Sequence, residues 1–261
     1  MKIFIRMSFL GNKFYGTQKL STFNTVQGCL EDALSNLYNE KIKVTICSRL
    51  DRNVSAFDYA ITYQSNNDEL KLEKILFYLS NYIPDIHFKE IKYVSDDFSP
   101  RYSCNGKIYS YLIQNGVFNP LFKDTSLYLK NKLDVFKLKE CLKLFEGEHD
   151  FKNFASFDEY ENSILTINHT DITINNGLTI LSLSSKSFLK YEVRFIIGTV
   201  LQYAENKILK EDIIKLLDGK DVKFLRKKAD SKGLFLYKII YPEFDNESLS
   251  FNSVNVFNDV I

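Results

Sequence analysis

The succession of hydrophobic periods along this chain restricts its fold more than any other feature. Ile3, Ile5, Met7 and Phe9 alternate with Lys2, Phe4, Arg6 and Ser8, the two-residue period of a strand. Val26, Cys29, Leu30, Ala33, Leu34, Leu37 and Tyr38 then recur at helical spacing, with Thr25 placed to cap the helix. Ile42, Val44 and Ile46 alternate next, followed by Phe57, Tyr59, Ile61 and Tyr63. A second helical stripe, Leu72, Ile75, Leu76, Leu79 and Ile83, stops at Pro84, and residues 86–94 return to a strand. The order β-α-β-β-α-β is the split ferredoxin-like arrangement.

The second half matches that order of elements with no visible sequence identity. Residues 107–114 read as a strand, and Asp134 caps a helix carrying Val135, Leu138, Cys141, Leu142 and Phe145. Strands at 164–174 and 178–183 flank an Asn175-Asn176-Gly177 turn. A helix with Val193, Ile196, Ile197, Val200, Leu201 and Ala204 on one face follows, then a short helix over 212–217 and a strand over 234–241. The expected fold is α+β: two ferredoxin-like modules joined into one mixed or antiparallel central sheet, helices on one side, and an active-site cleft between the modules. The modules are assigned to residues 1–100 and 101–242, with an acidic tail at 243–261.

Composition narrows the class. The 261 residues carry 34 Lys and Arg against 33 Asp and Glu, which excludes a supercharged nucleic-acid tail. The near-neutral total conceals an uneven distribution. Residues 1–100 balance, residues 101–242 hold an excess of five basic side chains, and the tail holds four acids and no base. Four widely spaced cysteines, Cys29, Cys47, Cys104 and Cys141, form no C-x-x-C pair and point to a reducing, cytoplasmic setting. No apolar run approaches a membrane span, and Arg6 interrupts the pattern a signal peptide would need. The three histidines, His87, His149 and His169, lack metal-ligand spacing, and no Gly-rich phosphate loop is present. His149-Asp150 reads as a turn after a helix.

Three polar features stand out against this background. Ser48-Arg49-Leu50-Asp51-Arg52-Asn53 places a carboxylate between two arginines where one strand ends and the next begins. Flanking cations favour the charged carboxylate, and strand-end loops often carry functional groups. A turn with a solvated ion pair has the same spelling. Arg194 interrupts an apolar helical stretch and needs an anionic partner if buried, or else snorkels to water. Tyr109 and Tyr111 share one strand face, suited to stacking on a base or to ordinary sheet packing. Residues 220–232 carry a local excess of four positive charges, a solvated helix end or a phosphate contact.

Taken together, the segments resemble the tRNA pseudouridine synthase A family from about Phe9 to Tyr241. Gly16-Thr17-Gln18 and Thr25-Val26-Gln27-Gly28 with Leu30-Glu31 are similar to its G-W-Q and T-V-Q-G-x-L-E. Residues 48–56 resemble the signature G-R-T-D-A-G-V-H-A. Arg101-Tyr102-Ser103 and Lys107-Ile108-Tyr109-Ser110-Tyr111 resemble A-R-[FY]-S and K-x-Y-x-Y. Gly147 to Phe154, Ser187 to Gly198 and Ala229 to Leu236 resemble G-x-H-D-F-x-x-F, x-x-F-L-x-x-M-V-R-x-x-V-G and A-P-x-x-G-L-x-L. The order and spacing of these fragments carry the resemblance.

The resemblance implies isomerisation of uridine to pseudouridine in the anticodon stem and loop of tRNA, by a homodimer needing no metal or organic cofactor. It implies that Asp51 is the catalytic carboxylate, attacking ribose C1′ or taking a proton from C2′. Tyr109 would stack on the uracil and Arg194 would hold Asp51 ionised. Arg49, Arg52, Arg101 and Lys107 would bind the RNA. The chain departs from the signature at Ser48, Leu50, Arg52, Asn53 and Ser55, replaces the Trp of G-W-Q with Thr17, and puts Glu192 in place of an apolar Met. Those departures leave open a synthase with a shifted RNA target, or a degenerate relative that binds tRNA without turnover.

Overall fold

The computed structural model describes residues 1–67, 69–156, 160–175, 177–220 and 227–245. It divides into two compact units. One combines Met1–Asn105 with Phe235–Asp245, and the other contains Gly106–Leu234.

The first unit follows the anticipated order: β1 (Lys2–Phe9), α1 (Val26–Tyr38), β2 (Val44–Ile46), β3 (Ser55–Gln64), α2 (Leu72–Tyr82) and β4 (Ile86–Val94). β1 pairs antiparallel with both β3 and β4, and β2 pairs antiparallel with β3, the split arrangement expected for this order. A further strand, β10 (Leu234–Ile240), runs parallel to β3 and makes the sheet mixed. Thr25 caps α1 as its position suggested, its hydroxyl accepting from the Gly28 N–H. Val26, Leu30, Ala33 and Leu34 on α1, with Ile75 and Leu79 on α2, are buried.

The alternation in β1 does not mark a solvated face. Phe4 is as buried as Ile5 and makes an edge contact with Tyr241 at 5.5 Å between centroids. Beside it, Arg6 forms a two-pronged ion pair with Asp245 at 3.1 and 2.9 Å, and Asp58 lies 3.4 Å from its Nε. Asp58 also accepts from the Ile239 N–H. The segment expected to open an acidic tail therefore begins as packed structure, with Asp245 held well below the usual carboxylate range by Arg6 and the Tyr241 N–H, despite its partial burial. Residues 246–261 lie outside the described residues.

The second unit contains β5 (Gly106–Asn115), β6 (Leu127–Leu129), α3 (Val135–Lys143), β7 (Gly147–Asp150), β8 (Ile164–Asn175), β9 (Leu178–Ser185), α4 (Glu192–Ala204) and α5 (Lys210–Leu217). Antiparallel pairing gives the order β5-β9-β8-β7, while β6 runs parallel to β5. α3, capped by Asp134, packs on α4. Two elements depart from the sequence reading. β6 is too short to show a period, and Gly147–Asp150 is an edge strand paired with β8, not a post-helix turn. Its polar residues form a strand because the backbone ladder with Ile164–Ile167 supplies the hydrogen bonds. Asn176 of the anticipated turn lies outside the described residues, and Gly177 has a φ of 78°.

The unit boundary also differs from the expected division at residue 100. Residues 235–242, expected in the second module, and 243–245, expected in the tail, group with the first unit. β10 is buried and carries its own parallel pairing to Ser55 and Ala56. Both units are α+β, with ten strands and five α-helices among the described residues. Among the described residues, no helix is long and apolar enough to cross a membrane.

Candidate active site

In the first unit, the segment between β2 and β3 is built so that three polar residues share one short loop. Leu50 is buried and anchors it, Asp51 is half-buried, and Arg49 and Arg52 are exposed. A turn closes after Asp51: the Val54 N–H donates to the Asp51 carbonyl at 3.1 Å, and Asn53 adopts the left-handed conformation with φ 68°. Asn is one of the few residues other than Gly that takes this conformation readily.

Distant residues hold the loop. The Thr17 hydroxyl accepts from the Leu50 N–H at 2.8 Å and donates to the Ser48 carbonyl at 3.1 Å. The Thr17 N–H donates to the Leu50 carbonyl at 3.1 Å, and the Tyr59 hydroxyl donates to Ser48 at 2.6 Å. Gly16 permits this approach: at φ 85°, a Cβ there would sit 2.8 Å from the Leu50 carbonyl oxygen. Ser55 Oγ accepts from the Gly11 N–H at 2.9 Å and fixes the start of β3.

The same loop carries an aromatic neighbour absent from the sequence reading. Arg52 places its guanidinium carbon 4.0 Å from the centre of the Tyr15 ring, and Tyr15 stacks on Phe23 at 4.5 Å and 16°. Both rings are substantially exposed. The three residues are remote in sequence, so no local pattern announces the cluster. Arg101 lies elsewhere in this unit, in the turn before β5, with its guanidinium carbon 5.2 Å from the Tyr102 ring.

The second unit holds the remaining candidates. Lys107 and Tyr109 alternate along β5, and both are buried. Tyr109 makes an edge contact with Phe188 at 5.2 Å. Tyr111, on the same strand face, is fully buried and donates its hydroxyl to the Asp230 carbonyl, which fits sheet packing. Arg194 sits in the first turn of α4. Its Nε donates to the Ala229 carbonyl at 2.9 Å, while the Ala229 N–H donates back to the Arg194 carbonyl at 2.9 Å. Gly198, one turn on, allows α4 to lie against that segment, since a Cβ there would meet the Lys227 carbonyl oxygen at 1.7 Å.

Glu192 opens the same helix and is almost wholly buried. One carboxyl oxygen accepts from the Leu189 N–H at 2.6 Å, and the other is buried without a hydrogen-bond partner. Burial pushes this carboxyl up to about 8, so it is neutral at neutral pH. A neutral acid does not compete for the Arg194 guanidinium.

The first unit thus brings Arg49, Asp51 and Arg52 together and leaves Arg101 on a separate turn. The second holds Lys107, Tyr109 and Arg194. Among the described residues, no group of three or more His, Cys, Asp or Glu is placed to hold a metal ion. Part of the basic run at 220–232, residues 221–226, lies outside the described residues.

A family profile described as tRNA pseudouridine synthase matches residues 141–242. The chain is 34% identical over 238 residues to the tRNA pseudouridine synthase A of Aquifex aeolicus, covering 90% of this chain and 98% of that protein. The chain belongs to the tRNA pseudouridine synthase A family. The proteins of that name from Dictyoglomus thermophilum and Borrelia hermsii are each 32% identical, and this chain covers 98% and 99% of their lengths. Membership makes the chain a pseudouridine synthase, an isomerase.

Four of the departures from the signatures that carry the resemblance have local structural accounts. Asn53 keeps the positive φ that a glycine would supply. Ser55, in place of His, ties β3 to Gly11, and Thr17, in place of Trp, bonds to the loop backbone directly. Glu192 replaces an apolar Met as a neutral acid.

Proposed function

We propose that this synthase isomerises uridine to pseudouridine in the anticodon stem and loop of tRNA, with Asp51 as the catalytic carboxylate. The observation that carries the reading is the fixed loop around Asp51. Thr17, Tyr59 and the Asn53 turn hold the backbone on both sides of it, and two arginines flank it. A carboxylate so placed can attack the ribose C1′ as the glycosidic bond breaks, since oxocarbenium-like carbons are captured by carboxylates. Uracil then turns, and its C5 attacks C1′ and displaces the Asp51 carboxylate; the C5 proton leaves and N1 takes up a proton, so substrate and product are isomers. A group that extracts a uridine from a stack must offset an unstacking cost of a few kcal/mol. Exposed Arg49 and Arg52 are suited to that interaction with RNA, and Arg101 and Lys107 are assigned to the same role.

Tyr109 is assigned to the uracil face, and Arg194 to charge stabilisation of the catalytic carboxylate. The reciprocal Arg194–Ala229 bonds support the second role, because they hold the guanidinium stem in one direction. The homodimer and the cytoplasmic setting belong to the same reading. A tRNA-binding relative without turnover is disfavoured by the ordered loop and the neutral Glu192.

The test uses an unmodified tRNA transcript with tritium at uridine C5. Wild-type protein should release tritium and leave pseudouridine in the anticodon arm, and Asp51→Asn should release none while still binding the transcript. Turnover by Asp51→Asn, or product formed outside the anticodon arm, would sink the corresponding half of the proposal.

A further inference from the structure

We infer that Arg52, seated on Tyr15 and Phe23, is a stacking platform for an unpaired nucleobase next to the target uridine. The inference rests on the reading of Asp51 as the catalytic carboxylate and adds a specificity-determining surface to it. Three planar groups meet here: the Phe23 ring 4.5 Å from Tyr15, and the Arg52 guanidinium carbon 4.0 Å from the same ring. One face of a phenol accommodates only one ring or guanidinium at such distances. The groups therefore form a column, with Phe23 at one end and Arg52 at the other.

The column is built into the loop that carries Asp51. The Tyr15 N–H donates to the Asn24 carbonyl at 2.7 Å, which brings Tyr15 and Phe23 together. Gly16 and Thr17, the next two residues, contact the backbone at Leu50. Arg52 directly follows Asp51. A base resting on Arg52 is consequently held at a set distance from the Asp51 carboxylate.

The chemistry of the column's end favours a base. Among the described residues, no carboxylate lies within 4.0 Å of the exposed Arg52 guanidinium. A guanidinium is weakly hydrated over its faces and stacks on nucleobases as well as on aromatic rings. Tyr15 lies 4.0 Å from its central carbon and holds the charge over a ring face, which suits an RNA segment with a base turned outward beside a flipped uridine. A solvated ion pair would leave the arginine against a carboxylate, and an ordinary core contact would bury the two rings. Neither holds: Tyr15 is 40% and Phe23 50% exposed.

The test separates this surface from the catalytic reading by measuring binding and turnover independently. Wild-type turnover on an unmodified tRNA transcript reports on Asp51 and locates the target uridine. Binding is then measured with Asp51→Asn protein and transcripts in which either neighbour of that uridine is abasic. Removing one of the two bases should weaken binding about tenfold, as loss of a stacked base does. Arg52→Ala and Arg52→Lys should weaken binding of the intact transcript to a similar degree and abolish the effect of the abasic site. Tyr15→Leu should act in the same direction, and thermal melting checks that the variants remain folded. Equal weakening of intact and abasic transcripts by Arg52→Ala, with Arg52→Lys restoring affinity, would identify a phosphate contact and overturn the platform. An Arg52→Ala protein that binds like its parent would overturn it as well. If wild type makes no pseudouridine but the abasic dependence holds in a transcript scanned along its anticodon arm, the catalytic reading fails and the platform stands.

Discussion

Thr17 and Leu50 are 33 residues apart in sequence and are joined by two hydrogen bonds: the Leu50 N–H to the Thr17 hydroxyl at 2.8 Å, and the Thr17 N–H to the Leu50 carbonyl at 3.1 Å. With the third bond from Thr17 Oγ1 to Ser48, the pair satisfies backbone groups on the N-terminal side of Asp51. Thr17 is fully buried, so no water substitutes for its hydroxyl.

Thr17→Val keeps the shape and removes the hydroxyl. The orphaned Leu50 N–H should cost about 1–3 kcal/mol in chemical denaturation. Because the displaced groups adjoin the loop proposed to carry the catalytic carboxylate, kcat should fall by about 10- to 100-fold, the scale of a small misplacement of a reacting group. Thr17→Ser should restore most of both losses. A valine variant with unaltered kcat would show that the clamp does not position Asp51.

Asn53 supplies a second, independent constraint through its positive φ. Asn53→Gly should fall within about 0.5 kcal/mol of wild type, since both residues tolerate the left-handed conformation. Asn53→Val should lose about 1–2 kcal/mol and reduce turnover, because a branched Cβ crowds the following carbonyl there. Equal stability of the glycine and valine variants would contradict the turn geometry.

Glu192 gives a pH dependence with a definite sign. Its carboxyl titrates near 4.5 when unfolded and about 8 when folded, because burial disfavours the charge. Its stabilising contribution is therefore complete below pH 4.5 and is lost as pH rises toward 8, where the folded state must accept a buried anion. Glu192→Gln resembles the neutral acid and lacks this titration. The stability of the glutamine variant relative to wild type should rise across pH 5–8, by up to about 1.4 kcal/mol per unit. A constant difference across that range, measured by denaturation in matched buffers, would show that Glu192 is not a neutral buried acid.

Gly198 tests the support of Arg194. A Cβ at this position meets a backbone oxygen of Lys227 and has no flexible side chain to push aside. Gly198→Ala should cost about 2–3 kcal/mol, the range of overpacked cores, and should weaken the Arg194–Ala229 pairing by moving the 227–229 segment. Loss of less than about 0.5 kcal/mol, outside the overpacking range, would mean that the helix and the segment separate freely.

Much of the fold was legible because it depends on local chemistry. The caps at Thr25 and Asp134 lie where a short polar side chain precedes a helical stripe, and both accept the backbone bonds expected of them. The loop around Asp51 was legible as an Asp between arginines at a strand end, and its proposed role comes from the family resemblance. β7 was not legible, since Gly147–Asp150 has no hydrophobic period and is a strand only by pairing with β8. The Tyr15–Phe23–Arg52 column was hidden for a related reason: ring stacking between remote segments leaves no spacing in the chain.

The sequence by itself determined the order of the longer strands and helices, the caps of α1 and α3, and the residues that carry charge at the candidate site. Periodicity and capping are properties of neighbouring residues, so a linear chain displays them. Tertiary structure alone decided that Phe4 and Arg6 face a covered surface, that residues 241–245 close over β1, and that Thr17 clamps Leu50. It also decided the charge of Glu192, because a carboxyl's ionisation follows the water around it, and burial at the start of α4 removes that water.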